Sequence, residues 1–217
     1  MKGYFITGTG TGVGKTYVTA TLARHARGRG QRVFAFKPIE TGCTRENGQL
    51  VGLDQSLLCE ASGGWQTDEL RGVYRFEPGV APAVAAREAR IRVELQAIQS
   101  ALLRGVRQSD LVLVEGAGGW RVPISDTEDM SDLARLCELP VIIVSHAGLG
   151  AINHTLLTIE AVEKTQPVSW VVLSQRSEDD PSLVQTNIEE IAKRWTARIV
   201  ALDAGATRVT VLDRLLD

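Results

Sequence analysis

Apolar runs of strand length alternate along the chain with longer segments in which apolar residues recur at helical spacing. Residues 3–7, 32–36, 111–115, 141–145 and 170–174, with a weaker run at 198–201, are mostly continuous in apolar character. That is the pattern of strands buried on both faces of a parallel sheet. Between them the periodicity predicts helices over 15–27, 53–61, 82–90, 93–107, 130–136, 152–164 and 182–195. Gly28 and Gly30 close the first helix and Pro167 follows the sixth. Asp129 or Ser131 can cap the helix that precedes Pro140, and Pro181 suits a first helical turn. The alternation predicts an α/β fold, a doubly wound, mostly parallel sheet with helices on both faces and right-handed crossovers. The polar, glycine-bearing stretch 41–52 reads as a functional loop. No repeat, low-complexity tract or long linker interrupts the pattern, and residues 1–217 are expected to form one domain.

Ligands of such sheets bind beyond the carboxyl ends of the strands. The first apolar run ends in Gly-Thr-Gly-Thr-Gly-Val-Gly-Lys-Thr, residues 8–16. A strand feeding a glycine-rich turn that ends in Gly-Lys-Thr has the form of a phosphate-binding loop. Successive backbone N–H groups curl around phosphate oxygens, Lys15 brings a charge to the β- and γ-phosphates, and Thr16 offers Mg²⁺ a hydroxyl. The following helix aims its positive end at the same place. Five residues separate Gly8 from Gly14, one more than the usual four. The strand at 111–115 ends in Glu115, where nucleotide-triphosphate enzymes place an acidic Mg²⁺ contact, and Gly116-Ala117-Gly118-Gly119 follow it. Lys37, before Pro38, ends another strand at the same rim; taken alone it reads better as a solvated strand-end lysine. Asp54 either serves the dipole of its helix or supplies a further oxygen to Mg²⁺. Gly148 to Asn153 opens a helix with small residues, which is either an anion-binding N-terminus or an ordinary capped turn.

Composition narrows the class. The 217 residues are 44% hydrophobic and 23% charged with a net charge of −2, ordinary for a globular chain and without a basic field for nucleic acid or anionic membrane. No run is long enough for a membrane span. The strand and phosphate loop begin within a few residues of Met1, which is expected to leave no room for a signal peptide. Cys43, Cys59 and Cys137 form no metal-binding pair, so a reducing cytoplasm is expected. His25, His146 and His154 lack partner spacing and read as structural. The four tryptophans read as core or interface residues.

In combination, residues 8–16, Lys37-Pro38 with Thr41-Gly42, Asp54, Glu-Gly-Ala-Gly-Gly-Trp at 115–120, Pro-Ile-Ser-Asp at 123–126 and Gly-Ala-Ile-Asn-His at 150–154 resemble the dethiobiotin synthetase family. The likeness covers about residues 3–165, and the five-residue loop is the form this family uses. It implies an ATP-dependent ligase of biotin biosynthesis, acting on 7,8-diaminopelargonate and CO₂ in a homodimer. By the same resemblance, Thr16, Asp54 and Glu115 hold Mg²⁺. Gly12, Val13, Gly14, Lys15, Thr16, Tyr17, Glu115, Gly118 and Gln175 contact ATP. Lys15, Lys37 and Thr11 act in catalysis. Thr11, Lys37 and Thr41 position the diamine and its carbamate, and Gly150, Ala151, Ile152 and Asn153 receive the distal carboxylate across the dimer interface.

Three departures from the family pattern bear on the base. Gly10 stands where members commonly carry Asp, and Gln175 where they typically place Asn. The tail from Val200 to Asp217 is short and lacks the Gly- and Pro-bearing loop that usually finishes the base pocket. Relaxed nucleotide choice, with CTP or GTP accepted, is therefore expected. Two other classes share the loop. A corrin-ring amidotransferase domain usually brings a glutaminase domain, for which this length leaves no space. A ParA- or MinD-like switch ATPase places a second lysine where this chain has Thr9.

Overall fold

The computed structural model describes residues 2–196, 198–203 and 209–216. In chain order these form β1 (Gly3–Gly8), α1 (Lys15–Gly28), β2 (Val33–Phe36), β3 (Ile39–Thr41), β4 (Thr44–Glu46), β5 (Gln49–Val51), α2 (Leu53–Ala61) and β6 (Tyr74–Phe76). There follow α3 (Pro82–Ala89), α4 (Leu95–Val106), β7 (Leu111–Glu115), α5 (Met130–Cys137), β8 (Val141–His146) and α6 (Ala151–Glu163). The last are β9 (Val168–Gln175), α7 (Pro181–Ala192), β10 (Arg198–Asp203) and α8 (Val209–Leu216).

All six expected strands join one sheet in the order β10-β9-β8-β1-β7-β2, with every pairing parallel. The continuous apolar runs are explained by their two buried faces. Phe5, Phe34, Phe36, Val112, Val114, Ile143 and Leu173 pack toward residues of α3 to α7, while Ile6, Val33, Ala35, Leu113, Ile142 and Val172 pack toward α1, α2 and α8. Alternation along each strand divides the core into these two layers. The helix between Asp129 and Pro140 is closed at its start by a capping box of Asp129 and Asp132, and Pro181 opens α7.

Two small pairings had no counterpart in the expected elements. β3 pairs in parallel with β6, and β4 with β5 in an antiparallel hairpin. The stretch 41–52 is therefore in part a hairpin. Its turn is Asn47-Gly48, both at positive φ (48° and 82°), the backbone that a two-residue turn demands and that Asn-Gly adopts most readily. α8 was likewise unexpected. The tail from Val200 to Asp217, expected to lack the loop that usually finishes the base pocket, lies in part (204–208 and 217) outside the described residues.

Candidate active site

The sheet order places the ends of β8, β1, β7 and β2 side by side, and the expected phosphate loop leaves the second of these four. α1 starts at Lys15 behind Gly14, with no side-chain cap and no acidic residue in its first turn. Its first N–H groups are thus left for an anion. Gly14 has φ 96°, and a Cβ built there would lie 2.3 Å from Ser174 Oγ. Both conformation and space require glycine at this point. The buried Lys15 ammonium donates to Gly10 O at 2.8 Å, and burial lowers its pKa to about 8 against the opposing pull of Glu115. A Cβ at Gly10 would meet nothing nearer than Val13 Cγ1 at 4.0 Å.

Thr16, Lys37, Asp54 and Glu115 converge. Thr16 Oγ1 donates to Glu115 Oε1 at 2.8 Å, and Lys37 Nζ donates to the same oxygen at 2.9 Å and also to Asp54 Oδ2. Glu115 is fully buried and Lys37 nearly so. Burial works against the Lys37 charge, but Glu115 and then Asp54 outweigh it and hold the ammonium well above the ordinary lysine range. Lys37 is therefore a fixed cation and not a solvated strand-end lysine, and Asp54 turns toward this cluster.

The donor set suits a hard cation. Thr16 Oγ1 and two carboxylates supply oxygens only, and Glu115 Oε2 is buried without a hydrogen-bond partner among the described residues. Two protein carboxylates are few for a closed cage, which fits Mg²⁺, whose remaining ligands come from phosphates and water.

Around this centre the other expected residues take distinct places. Thr11 is exposed, and with Gly12, Val13, His146, Arg176 and Asp179 it lines a cavity of about 150 Å³. Gly118, at φ 66°, brings the loop after β7 against the phosphate loop; its Cβ position lies 3.5 Å from Thr11 Oγ1. Tyr17 Oη donates to Asp203 O at 2.6 Å, tying α1 to the end of β10. Gln175 ends β9, in register with Asp203. Thr41 ends β3, four residues beyond Lys37. Gly150, at φ 89°, precedes Ala151, Ile152 and Asn153 at the start of α6, which has neither a side-chain cap nor an acidic first turn. That helix follows β8, separated from β2, which Lys37 follows, by β1 and β7, a backbone distance on the order of 14 Å at ~4.8 Å per strand.

Three contacts escaped the reading of the sequence. Thr9 Oγ1 donates to Ser145 Oγ at 3.2 Å, and Arg176 Nη2 donates to Gly12 O at 3.3 Å. The buried Glu40 carboxylate accepts from the backbone of Asp54 and Gln55; its signal was an acid preceding a helix whose N-cap, Gly52, has no side chain. The histidines also proved less isolated than their spacing suggested. The His146 and His154 rings lie edge to face at 6.1 Å, and His25 Nε2 is 2.8 Å from Asp213 Oδ1.

An uncapped helix behind a glycine-rich loop, with a lysine, a hydroxyl and strand-end carboxylates at its mouth, defines a nucleoside-triphosphate-using α/β protein of the P-loop class. Residues 2–202 match the AAA domain family. Within that class the chain belongs to the dethiobiotin synthetase family. It is 42% identical to the ATP-dependent dethiobiotin synthetase BioD of Anaeromyxobacter dehalogenans (strain 2CP-C), over 89% of this chain and 85% of that protein. It is 40% identical to the ATP-dependent dethiobiotin synthetase BioD of Nitrosospira multiformis, over 93% and 87%. Among solved structures, the MinC:MinD cell division protein complex of Aquifex aeolicus contains a chain of similar fold (TM-score 0.57, 15% identity, 99% of this chain and 86% of that one). At that identity the likeness concerns the fold alone.

Proposed function

We propose that this chain is a dethiobiotin synthetase, joining CO₂ to 7,8-diaminopelargonate and closing the cyclic urea at the expense of ATP. The observation that carries the reading beyond family membership is the Lys37–Asp54–Glu115–Thr16 cluster beside the phosphate loop. An amine nitrogen of the diamine attacks CO₂, forming an N–C bond and losing a proton to give a carbamate. A carbamate oxygen takes the γ-phosphoryl group of ATP and ADP leaves. The second amine then attacks the activated carbonyl and loses a proton, the C–O bond to phosphate breaks and phosphate departs, and the cyclic urea is closed.

Each step needs placed charge more than covalent help from the protein. Lys37, held protonated by its two carboxylates, serves as a cation for the carbamate and the transferring phosphoryl group. Lys15 and the N–H groups of Gly12, Val13, Gly14 and Thr16 receive the phosphates, while Tyr17, Gly118 and Gln175 line the nucleoside side. Thr11 and Thr41 orient the diamine and carbamate, and holding the second amine near the carbonyl can contribute several kcal/mol, up to ~7–11. Mg²⁺ would be held by Thr16, Asp54 and Glu115 and would supply further positive charge to the β- and γ-phosphate oxygens.

The uncapped α6 N-terminus at Gly150–Asn153 is assigned to the distal carboxylate of a substrate held by a second copy of the chain, in a homodimer. Its distance from Lys37 within one chain and the 89% exposure of the adjoining Leu149 support that arrangement. A cytoplasmic site of action is proposed; among the described residues no helix is long and apolar enough to cross a membrane. The test is dethiobiotin formation from the diamine, bicarbonate, Mg²⁺ and ATP. Phosphate release independent of diamine and bicarbonate, and stimulated by DNA or lipid, would instead indicate a switch ATPase.

A further inference from the structure

α2 carries Asp54 in its first turn, yet the residue at its N-cap is Gly52, which offers no side-chain acceptor. The acceptor comes from elsewhere in the chain. Glu40, in β3, turns its carboxylate under the helix, where Oε1 accepts from Asp54 N at 2.9 Å and Oε2 from Gln55 N at 2.8 Å. Glu40 is 5% exposed, and a Cβ at Gly52 would lie only 2.3 Å from its Oε2. The missing side chain at Gly52 thus makes room for the remote carboxylate. Burial raises the Glu40 pKa, while the Gln55 and Asp54 N–H bonds and the Lys37 charge pull the other way. A second tie runs beside it, from Gln55 Nε2 to Lys37 O at 2.9 Å.

The segment from Lys37 to Thr41 therefore holds both a cation of the site and the acceptor that fixes the backbone of Asp54. A local cap at position 52 could stabilise the helix equally well, but it would not fasten the helix to β3. We propose that Glu40 is a positioning residue: it sets where Asp54 stands relative to Lys37 and Glu115, and so sets the affinity of the site for its divalent ion. This rests on the reading of Asp54 as a metal ligand.

The experiment measures Mn²⁺ binding by electron paramagnetic resonance, with a non-hydrolysable ATP analogue present, alongside thermal unfolding. Four proteins are compared: the unaltered chain, Asp54→Asn, Glu40→Ala, and Glu40→Ala combined with Gly52→Ser. Glu40→Ala is expected to weaken Mn²⁺ binding ~10-fold, the scale of lost support behind a metal ligand, and to lower the Tm. Adding Gly52→Ser restores a local cap and raises the Tm, while Mn²⁺ binding stays weak because the tie to β3 is still missing. Unchanged Mn²⁺ affinity in Glu40→Ala, or affinity that recovers together with the Tm in the double variant, overturns the proposal. If Asp54→Asn itself leaves Mn²⁺ affinity intact, the metal assignment fails and takes the positioning role with it. Should Glu40→Ala not fold, Glu40→Gln, which keeps one acceptor oxygen, takes its place; weakened Mn²⁺ binding supports the role and unchanged binding overturns it.

Discussion

Lys37 Nζ donates to Glu115 Oε1 at 2.9 Å, one rung beyond the last β2–β7 register pair, Phe36↔Val114. The sheet itself thus sets the separation of the two charges. Removing Lys37 leaves a fully buried carboxylate short of its cation, which costs about 3–5 kcal/mol when a buried pair is broken. Lys37→Ala is expected to lower the Tm and to slow dethiobiotin formation roughly 10²-fold or more, the scale of a lost charge-stabilising donor. Nucleotide binding, carried mainly by the loop, should change far less. Unaltered turnover in the folded variant would remove Lys37 from the mechanism.

Gly14 and Gly10 make a paired test within one loop. An L side chain at Gly14 adopts left-handed backbone at roughly 1–2 kcal/mol and also collides with Ser174. Gly14→Ala should therefore lose nucleotide binding and melt lower. Gly10→Asp meets open space and should keep its stability within ~0.5 kcal/mol. Calorimetric melting and nucleotide titration of both variants decide the matter, and an equally damaging Gly10→Asp would contradict the geometry.

Gln175 is proposed to bear on the choice of base. It ends β9 beside Asp203, whose carbonyl is held by Tyr17, and its amide offers a donor and an acceptor on a longer stem than Asn. CTP and GTP are expected to support dethiobiotin formation alongside ATP. A nucleotide panel measures this directly, and strict dependence on ATP, with no competition from the others, would end the idea of relaxed choice.

Cys137 gives an alkaline signature. Burial pushes its thiol up to about 12 from an ordinary value of 9.0. Between those values the folded chain keeps the proton while the unfolded chain releases it, so the unfolded state binds fewer protons and stability falls as pH rises from about 9 toward 12. Urea unfolding across that range should show the decline, with a shallower slope in Cys137→Ala. The thiolate is the reactive form, so thiol reagents at pH 8 should modify Cys137 only as fast as the protein opens. Rapid labelling of the native protein would refute its burial.

The sheet strands were legible because burial on two faces writes a continuous apolar run, and Glu115 and Lys37 because each stands where such a run stops. The order β10-β9-β8-β1-β7-β2 was not, since no run of residues says which strand lies beside which. β3 and β6 are three residues each, too short for any period to show. The hairpin was within reach through Asn47-Gly48, but its polar strands disguised it as a loop. Glu40 stayed hidden for another reason: its partners lie 14 and 15 residues later and are backbone groups, which carry no sequence signature.

The sheet order also divides the protein's freedom to change. Glu115, the phosphate loop and Lys37 issue from neighbouring strands β1, β7 and β2, whereas Gln175 ends the strand next to border strand β10. If Gln175 reads the base as proposed, substitutions that retune it could accumulate at that margin while the proposed phosphoryl chemistry stays fixed. On that reading, a lineage could drift in the fuel it accepts without relearning the reaction that the fuel drives.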